Sequence, residues 1–319
     1  MDAKISIDRI REASEVIDPV FLDTPQFVCE PISQRLGVTC VLKVESVNPI
    51  RSFKGRGADY LLDRLGPQTA GFVCASAGNF GQGMAYAARR RGASMTVFAA
   101  TAANPMKIER MRALGANVIL EGADFEAAKD AAVLHSQKTG ALYIEDGLLA
   151  PIGEGAGTIA VELTRMGAKL DAVFVPLGNG SLINGVGTWL RRASPTTRIV
   201  AMCPTGAPSM ERSWRTGKAT PTDGINTVAD GIAVRVPIQE ALDIMRDTVD
   251  EVMLVSDEDI VAAMRSLHTD AGLVVEPAGA AGVAALAARG QEFAGQTVAI
   301  VITGGNITED QARRWLLQL

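Results

Sequence analysis

One lysine, flanked by an aromatic ring and two arginines, has the surroundings of a reactive amine. The run Leu42-Lys43-Val44-Glu45-Ser46-Val47-Asn48-Pro49-Ile50-Arg51-Ser52-Phe53-Lys54-Gly55-Arg56-Gly57-Ala58 passes from a strand, through a turn containing proline, into a helix start. Lys54 lies beside apolar Phe53 and between basic Arg51 and Arg56. Desolvation and like charge both favour the neutral, nucleophilic form of an amine, which is what Schiff-base chemistry requires. Charge alone would equally describe a solvated basic helix start. Three polar, glycine-bearing turns follow predicted strands and open predicted helices: Ser76-Ala77-Gly78-Asn79-Phe80-Gly81-Gln82-Gly83, Gly178-Asn179-Gly180-Ser181-Leu182 and Thr303-Gly304-Gly305-Asn306. Ligands of open α/β sheets sit at the carboxyl ends of strands, where helix N-termini offer free N–H groups to anions. Any single loop of this kind is explained as well by a plain turn. Three at matching positions point to an anionic ligand.

The elements that must position these residues alternate along the chain. Strand-like runs are VTCVLKVE (38–45), GFVCAS (71–76), SMTVFAA (94–100), NVILEG (117–122), DAVFVPLG (171–178), RIVAMCP (198–204) and TVAIVITGG (297–305). Several are continuously apolar rather than alternating, the pattern of parallel strands buried on both faces. Between them GQGMAYAARRRG, NPMKIERMRALG, DFEAAKDAAVLHSQKTG, LINGVGTWLRRA and VEPAGAAGVAALAARG read as helices. This alternation argues for α/β architecture with parallel sheets. Residues 216–237 carry turn chemistry without periodicity, and a long loop of this kind reads as a structured excursion near a site. Length, 319 residues, exceeds a typical single domain, so two domains or one large one are expected. A net charge of −5 gives no electrostatic footprint for nucleic acid or anionic lipid, and no apolar run reaches bilayer-spanning length. The N-terminal charges of both signs at helical spacing do not read as a targeting peptide. Cys29, Cys40, Cys74 and Cys203 form no C-x-x-C pair, and His135 and His268 are the only histidines. Zinc sites and disulfide frameworks are therefore not expected, and a reducing cytoplasm is. Neither a Walker-type loop nor a G-x-G-x-x-G opening the first βα unit supports nucleotide binding.

The segment Ser52 to Ala58, S-F-K-x-R-G-A, resembles the lysine motif of fold-type II pyridoxal-phosphate enzymes. In order along the chain, S-A-G-N at 76–79 is similar to that family's asparagine loop, G-N-G-S-L at 178–182 to its phosphate loop, and T-G-G-N at 303–306 to its pyridine-nitrogen loop. Asn104 to Lys107 continuing to Gly115-Ala116, Gly206 to Met210, Ala229 to Val234 and Val275 to Ala280 resemble segments of the serine/threonine dehydratases. The resemblance runs from Thr24-Pro25 to Asn306. It implies two open, twisted α/β sheets of the tryptophan synthase β-like fold with the cofactor in the cleft between domains. Residues 1–45 and 148–319 would form the large domain and 46–147 a small mobile one. It also implies a homodimer acting on an amino acid by pyridoxal-phosphate-dependent dehydration and deamination of L-threonine or L-serine to a 2-oxo acid and ammonia. Lys54 would carry the cofactor and remove the substrate Cα proton, and the cofactor phosphate would protonate the leaving hydroxyl. Phe53 would pack beside the ring, Asn79 would bond its 3′ oxygen, and Thr303 would meet its nitrogen. Gly178, Asn179, Gly180, Ser181 and Leu182 would cradle the phosphate. Glu276 stands near the ring by the same resemblance, or merely complements a helix dipole. Ser76, Ala77, Gly78, Asn79 and Phe80 would receive the substrate carboxylate.

Departures from the family pattern sharpen these expectations. Asn179 and Ser181 interrupt a loop that is commonly all glycine, yet Asn tolerates left-handed backbone and Ser bonds locally, so the cradle is expected to survive. Phe80 replaces a usual histidine. Ala77 occupies the place where serine racemases carry a serine, and a methyl group cannot take a proton, so racemisation is not expected as the main activity. Cys203 and Ser209 replace acidic residues of the divalent-cation-binding members, so no metal site is expected, because magnesium needs hard oxygen ligands. A monovalent cation on backbone carbonyls stays open. Asn48-Pro49 is reminiscent of threonine synthases, which keeps β-replacement as an alternative. Arg51 either points to solvent or enters the pocket; in the second case a dicarboxylic substrate such as 3-hydroxyaspartate becomes attractive. A cofactor-binding protein without turnover is a third reading, opposed by intact Lys54 and Asn79. Only ITEDQARRWLLQL follows the last loop, so no C-terminal regulatory domain or feedback inhibition through one is expected.

Overall fold

The continuous apolar runs form the buried strands of two sheets in the computed structural model, which describes residues 4–317. The strands are β1 Gln26–Val28, β2 Thr39–Val44, β3 Phe72–Ala75, β4 Met95–Ala99, β5 Asn117–Leu120, β6 Leu142–Ile144, β7 Ala172–Pro176, β8 Arg198–Pro204, β9 Glu251–Val255 and β10 Thr297–Ile302. One sheet has the order β1-β2-β10-β7-β8-β9 and the other β5-β4-β3-β6. All pairings are parallel except that of β1 with β2. In both sheets the strand order reverses near the middle, at β3 between β4 and β6 and at β10 between β2 and β7. Such switch points leave a crevice between diverging helices, where open α/β sheets bind ligands. The expected α/β architecture with two open parallel sheets is present.

Three strands were not legible in the sequence. β1 and β6 have only three residues each, too short to display any period. The edge strand β9 takes its identity from its parallel register with β8, Val200 opposite Glu251 through Pro204 opposite Val255. Helices Gln239–Thr248 and Asp257–Ala271 were likewise unread; they flank β9 and bury Leu242, Met245, Ile260, Met264 and Leu267 against the large sheet.

A buried ionic cluster ties the helix that begins at Lys54 to the large sheet. Helix Lys54–Leu65 carries Arg56, fully enclosed, whose guanidinium meets Glu45 just past β2 at 2.8 and 2.9 Å. The same group reaches Glu162 of helix Ala150–Arg165 at 2.5 and 3.0 Å and the Thr158 hydroxyl at 2.9 Å. Lys43, buried in β2, donates to Glu162 at 2.5 Å and to the Thr24 carbonyl at 2.7 Å. Two cations thus balance two carboxylates, with the Thr24 and Thr158 oxygens as further acceptors. Burial opposes the Arg56 charge, but Glu45 and Glu162 more than reverse that effect and raise its pKa. Removing one member of such a cluster leaves an unpaired buried charge. Glu162→Gln is expected to cost about 3–5 kcal/mol, read as a lowered midpoint in urea at unchanged slope.

Candidate active site

The C-terminal ends of β2, β3, β6, β7 and β10 converge on one cleft of about 830 Å³. After β2 the chain makes a turn built on Asn48. Its amide nitrogen donates to the Glu45 and Ser52 carbonyls at 2.8 and 3.1 Å, and its oxygen accepts from Ile50 and Ser52 N–H at 3.1 and 3.2 Å. Every bond it makes is to backbone, so Asn48 shapes the loop and carries no information about a second substrate. The turn holds Arg51 at φ +50°, a left-handed conformation that a side chain with Cβ adopts at some cost. Arg51 is exposed and does not line the cleft, so the pocket position required for a dicarboxylate-binding role is not observed. Its carbonyl accepts from Gly305, Phe53 N–H donates to the Thr303 carbonyl at 3.1 Å, and Ser52 bridges Gly304. The lysine loop and the Thr303 loop are one hydrogen-bonded unit.

Lys54 extends into the cleft between two aromatic rings, its Nζ 5.0 Å from the Phe53 ring centre and 5.7 Å from that of Phe80. A carboxylate that the sequence did not disclose completes its surroundings: Asp146 Oδ2 accepts from Nζ at 2.6 Å. Asp146 follows the short strand β6, and a strand-end acid before a glycine was the signal that could have marked it. Its second oxygen lies 3.4 Å from the Ser181 hydroxyl oxygen, whose proton goes to the nearer Asn179, beside the loop at the end of β7. Helix Asn79–Arg90 approaches the start of the lysine helix through Gly83, where a Cβ would lie 2.9 Å from the Lys54 carbonyl oxygen.

The loop Gly178 to Leu182 enters helix Ser181–Ala193. Gly180 has φ +101°, and a Cβ there would stand 2.9 Å from Ala241 Cβ, so glycine is required twice over. Asn179 Oδ1 accepts from the Ser181 hydroxyl at 3.0 Å and from its N–H at 3.4 Å, a local turn that compensates for the missing glycines. Gly178, Asn179, Gly180 and Leu182 line the cleft, whereas Ser181 is buried behind them. No side chain of the Gly180 N-cap closes this helix start. On the opposite wall, the Ser76 oxygen accepts the N–H groups of Gly78 and Gly81 at 3.2 and 3.0 Å, which orders the loop and leaves only its proton to donate outward. Ala77, Gly78 and Phe80 line the cleft beside it.

Asn79 spends both ends of its amide on protein. Nδ2 donates to Glu276 Oε1 at 2.7 Å and Oδ1 accepts from Asn306 Nδ2 at 2.8 Å; one amide hydrogen remains. Glu276 lies beneath this pair, also accepting from Asn306 N–H at 3.3 Å. Burial pushes its carboxyl up to about 7, with the Lys107 cation opposing and Asp230 reinforcing the rise. The alternative of a simple helix-end carboxylate omits these bonds to the two asparagines. The excursion at 216–237 lies at the cleft, as its turn chemistry implied: Asp223 to Ile225 and Asp230 to Pro237 line it. It brings Asp230 to 2.6 Å from Lys107 and Arg235 to 3.6 Å from Glu126. The pairings of Lys107 with Asp230 and of Glu126 with Arg235 were not legible in the sequence, because the partners lie far along the chain, and the Lys129–Glu145 pair was not singled out either. Among the described residues, each cation lining the cleft is paired with a carboxylate.

A family model for pyridoxal-phosphate dependent enzymes matches residues 17–304. The chain belongs to this family. The L-threonine ammonia-lyase of Thermotoga maritima is 36% identical over 305 residues, covering 95% of this chain and 76% of that protein. That of Geobacter sulfurreducens is 37% identical over 278 residues, covering 86% and 69%. Among solved structures, processed threonine deaminase isoform 2 from Solanum lycopersicum superposes with TM-score 0.90 at 30% identity, covering 98% of this chain and 94% of that one. Maize serine racemase superposes with TM-score 0.92 at 29% identity, covering 97% and 96%. Pyridoxal phosphate is the cofactor, and the cleft fits it. A lysine amine faces the interior, the helix start behind Gly178–Gly180 presents N–H groups suited to a phosphate, and Thr303 lines the same cleft.

The Glu276 carboxyl gives a pH signature. Its value in the folded chain lies above the unfolded 4.5, so the folded state binds the extra proton between about 4.5 and 7. Stability from this group is present below the unfolded value and is lost as pH rises towards 7. In the cofactor-free protein, wild type is expected to lose about 3 kcal/mol relative to Glu276→Gln between pH 4.5 and 7.5, measured by denaturant unfolding at each pH.

Proposed function

We propose that the protein is a pyridoxal-phosphate-dependent ammonia-lyase that eliminates water from a β-hydroxy amino acid, L-threonine or L-serine, releasing a 2-oxo acid and ammonia. The observation that carries this reading is the Lys54 amine directed into a cleft bounded by the Gly178–Leu182 loop, in a chain similar over nearly its full length to L-threonine ammonia-lyases. When bound, the cofactor supplies an electron sink for the carbanion formed at the substrate Cα. Lys54 would anchor it and take the Cα proton onto Nζ. Phe53 would pack beside the cofactor ring, the remaining Asn79 amide hydrogen would serve its 3′ oxygen, and Thr303 would meet its nitrogen as a neutral partner. Glu276 positions Asn79 rather than reacting. Backbone N–H groups from Gly178 to Leu182 would hold the phosphate, with Ser181 and Asn179 shaping the turn. The substrate carboxylate rests on the loop Ser76, Ala77, Gly78, Asn79 and Phe80, through backbone donors and the Ser76 proton.

Charge around the cleft favours a monocarboxylic substrate. Lys54, Lys107, Lys129 and Arg235 already have carboxylate partners, and Arg51 faces solvent, so a second substrate carboxylate would find no free cation among the described residues. Ala77 offers no second base for racemisation. The β-replacement alternative loses its main support, since Asn48 is occupied in building its own turn. We infer that residues 46–147 move as a small domain against residues 1–45 and 148–319. Lys107–Asp230 and Glu126–Arg235 would then lock the closed cleft and keep water from the reacting centre. Four buried free thiols are consistent with a reducing cytoplasm. No helix of the described residues is long and apolar enough to cross a membrane. Homodimerisation belongs to the same proposal by family resemblance.

Purified protein reconstituted with pyridoxal phosphate and given L-threonine or L-serine is expected to release 2-oxo acid steadily with no added nucleophile. Lys54→Ala should lower that rate at least about a thousandfold and abolish the cofactor's visible absorption while the far-UV dichroism is kept. Absence of 2-oxo acid from threonine, serine and 3-hydroxyaspartate alike would overturn the assignment.

A further inference from the structure

Resting on the elimination reading, we propose that the outer half of the cleft is a side-chain subsite for β-hydroxy amino acids whose β-substituent is bulky and apolar, an aryl ring above all. In the arrangement proposed above, the cofactor and the substrate carboxylate take up the Gly178–Leu182 loop, the wall from Phe53 to Thr303 and the Ser76–Phe80 loop. The cleft of about 830 Å³ continues beyond them. One outer wall is the start of helix Phe125–Thr139 together with Tyr143 of β6. The other is the excursion, at Ile225 and from Val234 to Ile238. Both walls are tied to the Lys54 end. Tyr143 lies on the strand that leads into Glu145 and Asp146; Glu145 pairs with Lys129 of the helix, and Asp146 meets Lys54. Glu126 and Arg235 approach each other across the gap to 3.6 Å.

Three large apolar side chains lining this space are half open to solvent: Phe125 is 52% exposed, Ile225 50% and Val236 49%. The backbone that presents them is fixed. Asn226 N–H donates to the Gly206 carbonyl at 2.9 Å, a contact so close that a Cβ on Gly206 would collide with the Asn226 carbonyl oxygen. Thr222 N–H donates to the Arg235 carbonyl at 3.1 Å, and the Ser209 hydroxyl to the Val234 carbonyl at 2.6 Å. Opposite, Asp124 Oδ1 accepts from Ala127 N–H at 2.9 Å and orders the turn that carries Phe125. Clustered apolar surface inside a cleft marks a ligand groove. Lys107, Lys129 and Arg235 are each matched by a carboxylate, so an anionic substituent gains nothing there. Phe80, 5.7 Å from Lys54 Nζ, keeps the inner end apolar as well. The side chains of serine and threonine bring little apolar area to these walls, whereas an aryl ring takes its own faces and theirs out of water. The chemistry is that of the smaller substrates. Cα–H and Cβ–O bonds break, a Cα–Cβ double bond forms and water leaves; hydrolysis of the enamine consumes one water and gives the aryl 2-oxo acid and ammonia.

Holoenzyme is assayed for 2-oxo acid release from L-serine, L-threonine, L-threo-β-phenylserine and 3-hydroxyaspartate. For phenylserine, kcat/KM is expected to exceed that for serine at least about tenfold. L-Phenylalanine, which has no leaving group, is expected to bind at least about tenfold more tightly than L-alanine, read from the absorption change of the bound cofactor. In Phe125→Ser and in Ile225→Ser, both at half-exposed positions, each of these ratios should shrink about tenfold. Ratios within one variant decide the matter, so a general loss of activity does not mask the result. A phenylserine value no higher than that of serine, equal binding of phenylalanine and alanine, ratios unchanged in both variants, or a preference for 3-hydroxyaspartate would overturn the subsite and leave these side chains as surfaces that meet when the cleft closes. Turnover of serine or threonine without phenylserine strikes this inference alone. Silence from all four substrates removes the elimination reading with it.

Discussion

A fully enclosed guanidinium governs where the Lys54 amine can stand. Arg56 is two residues from Lys54 on the same helix, and its bonds to Glu45 and Glu162 fasten that helix to β2 and to helix Ala150–Arg165. A charge at this depth is tolerable only with both carboxylates in place. The position of the helix along its axis is thus set by electrostatics as well as by packing. The cluster confers geometry more than net stability, since desolvation of its members offsets much of their attraction. The amine at the helix start inherits that rigidity.

The rest of the site is held by backbone pairing between distant loops. The Asn48 turn, the Thr303 loop and the start of the lysine helix are laced together by Phe53, Arg51 and Ser52, so one side of the cleft is nearly a single piece. Asn79, Asn306 and Glu276 form a second buried polar chain that crosses between the walls. Each member satisfies another, which is the condition under which buried polar groups fix geometry rather than weaken it. Glu276 reaches that condition while its carboxyl is held near neutrality by burial, because only the Lys107 charge and hydrogen-bond donors offset desolvation.

Chemical division of labour follows from the cleft's charges. Carboxylates engage the cations that line the wall, so the helix start at Gly180 remains the principal attraction for an anion, and the Ser76–Phe80 loop presents backbone donors. Two phenyl rings around Lys54 make its immediate surroundings apolar on two sides, and Asp146 is a charged neighbour in contact. Desolvation strengthens that pair.

By itself the sequence determined the α/β class, the long buried strands, the lysine motif and the three strand-end loops. These depend on local properties: continuous apolar runs, glycines at obligatory turns, and a motif read within a few residues. The tertiary structure alone decided which carboxylate meets Lys54, that Arg51 faces solvent, that Asn48 is consumed by its own turn, and that Asn79 is shared between Glu276 and Asn306. Asp146 lies 92 residues from Lys54 and Glu276 lies 197 from Asn79. Pairings across such separations follow from strand order and switch-point geometry, which no local pattern encodes. Strands of three residues, β1 and β6, stayed hidden for the same reason, since their identity is conferred by the neighbour that supplies their hydrogen bonds.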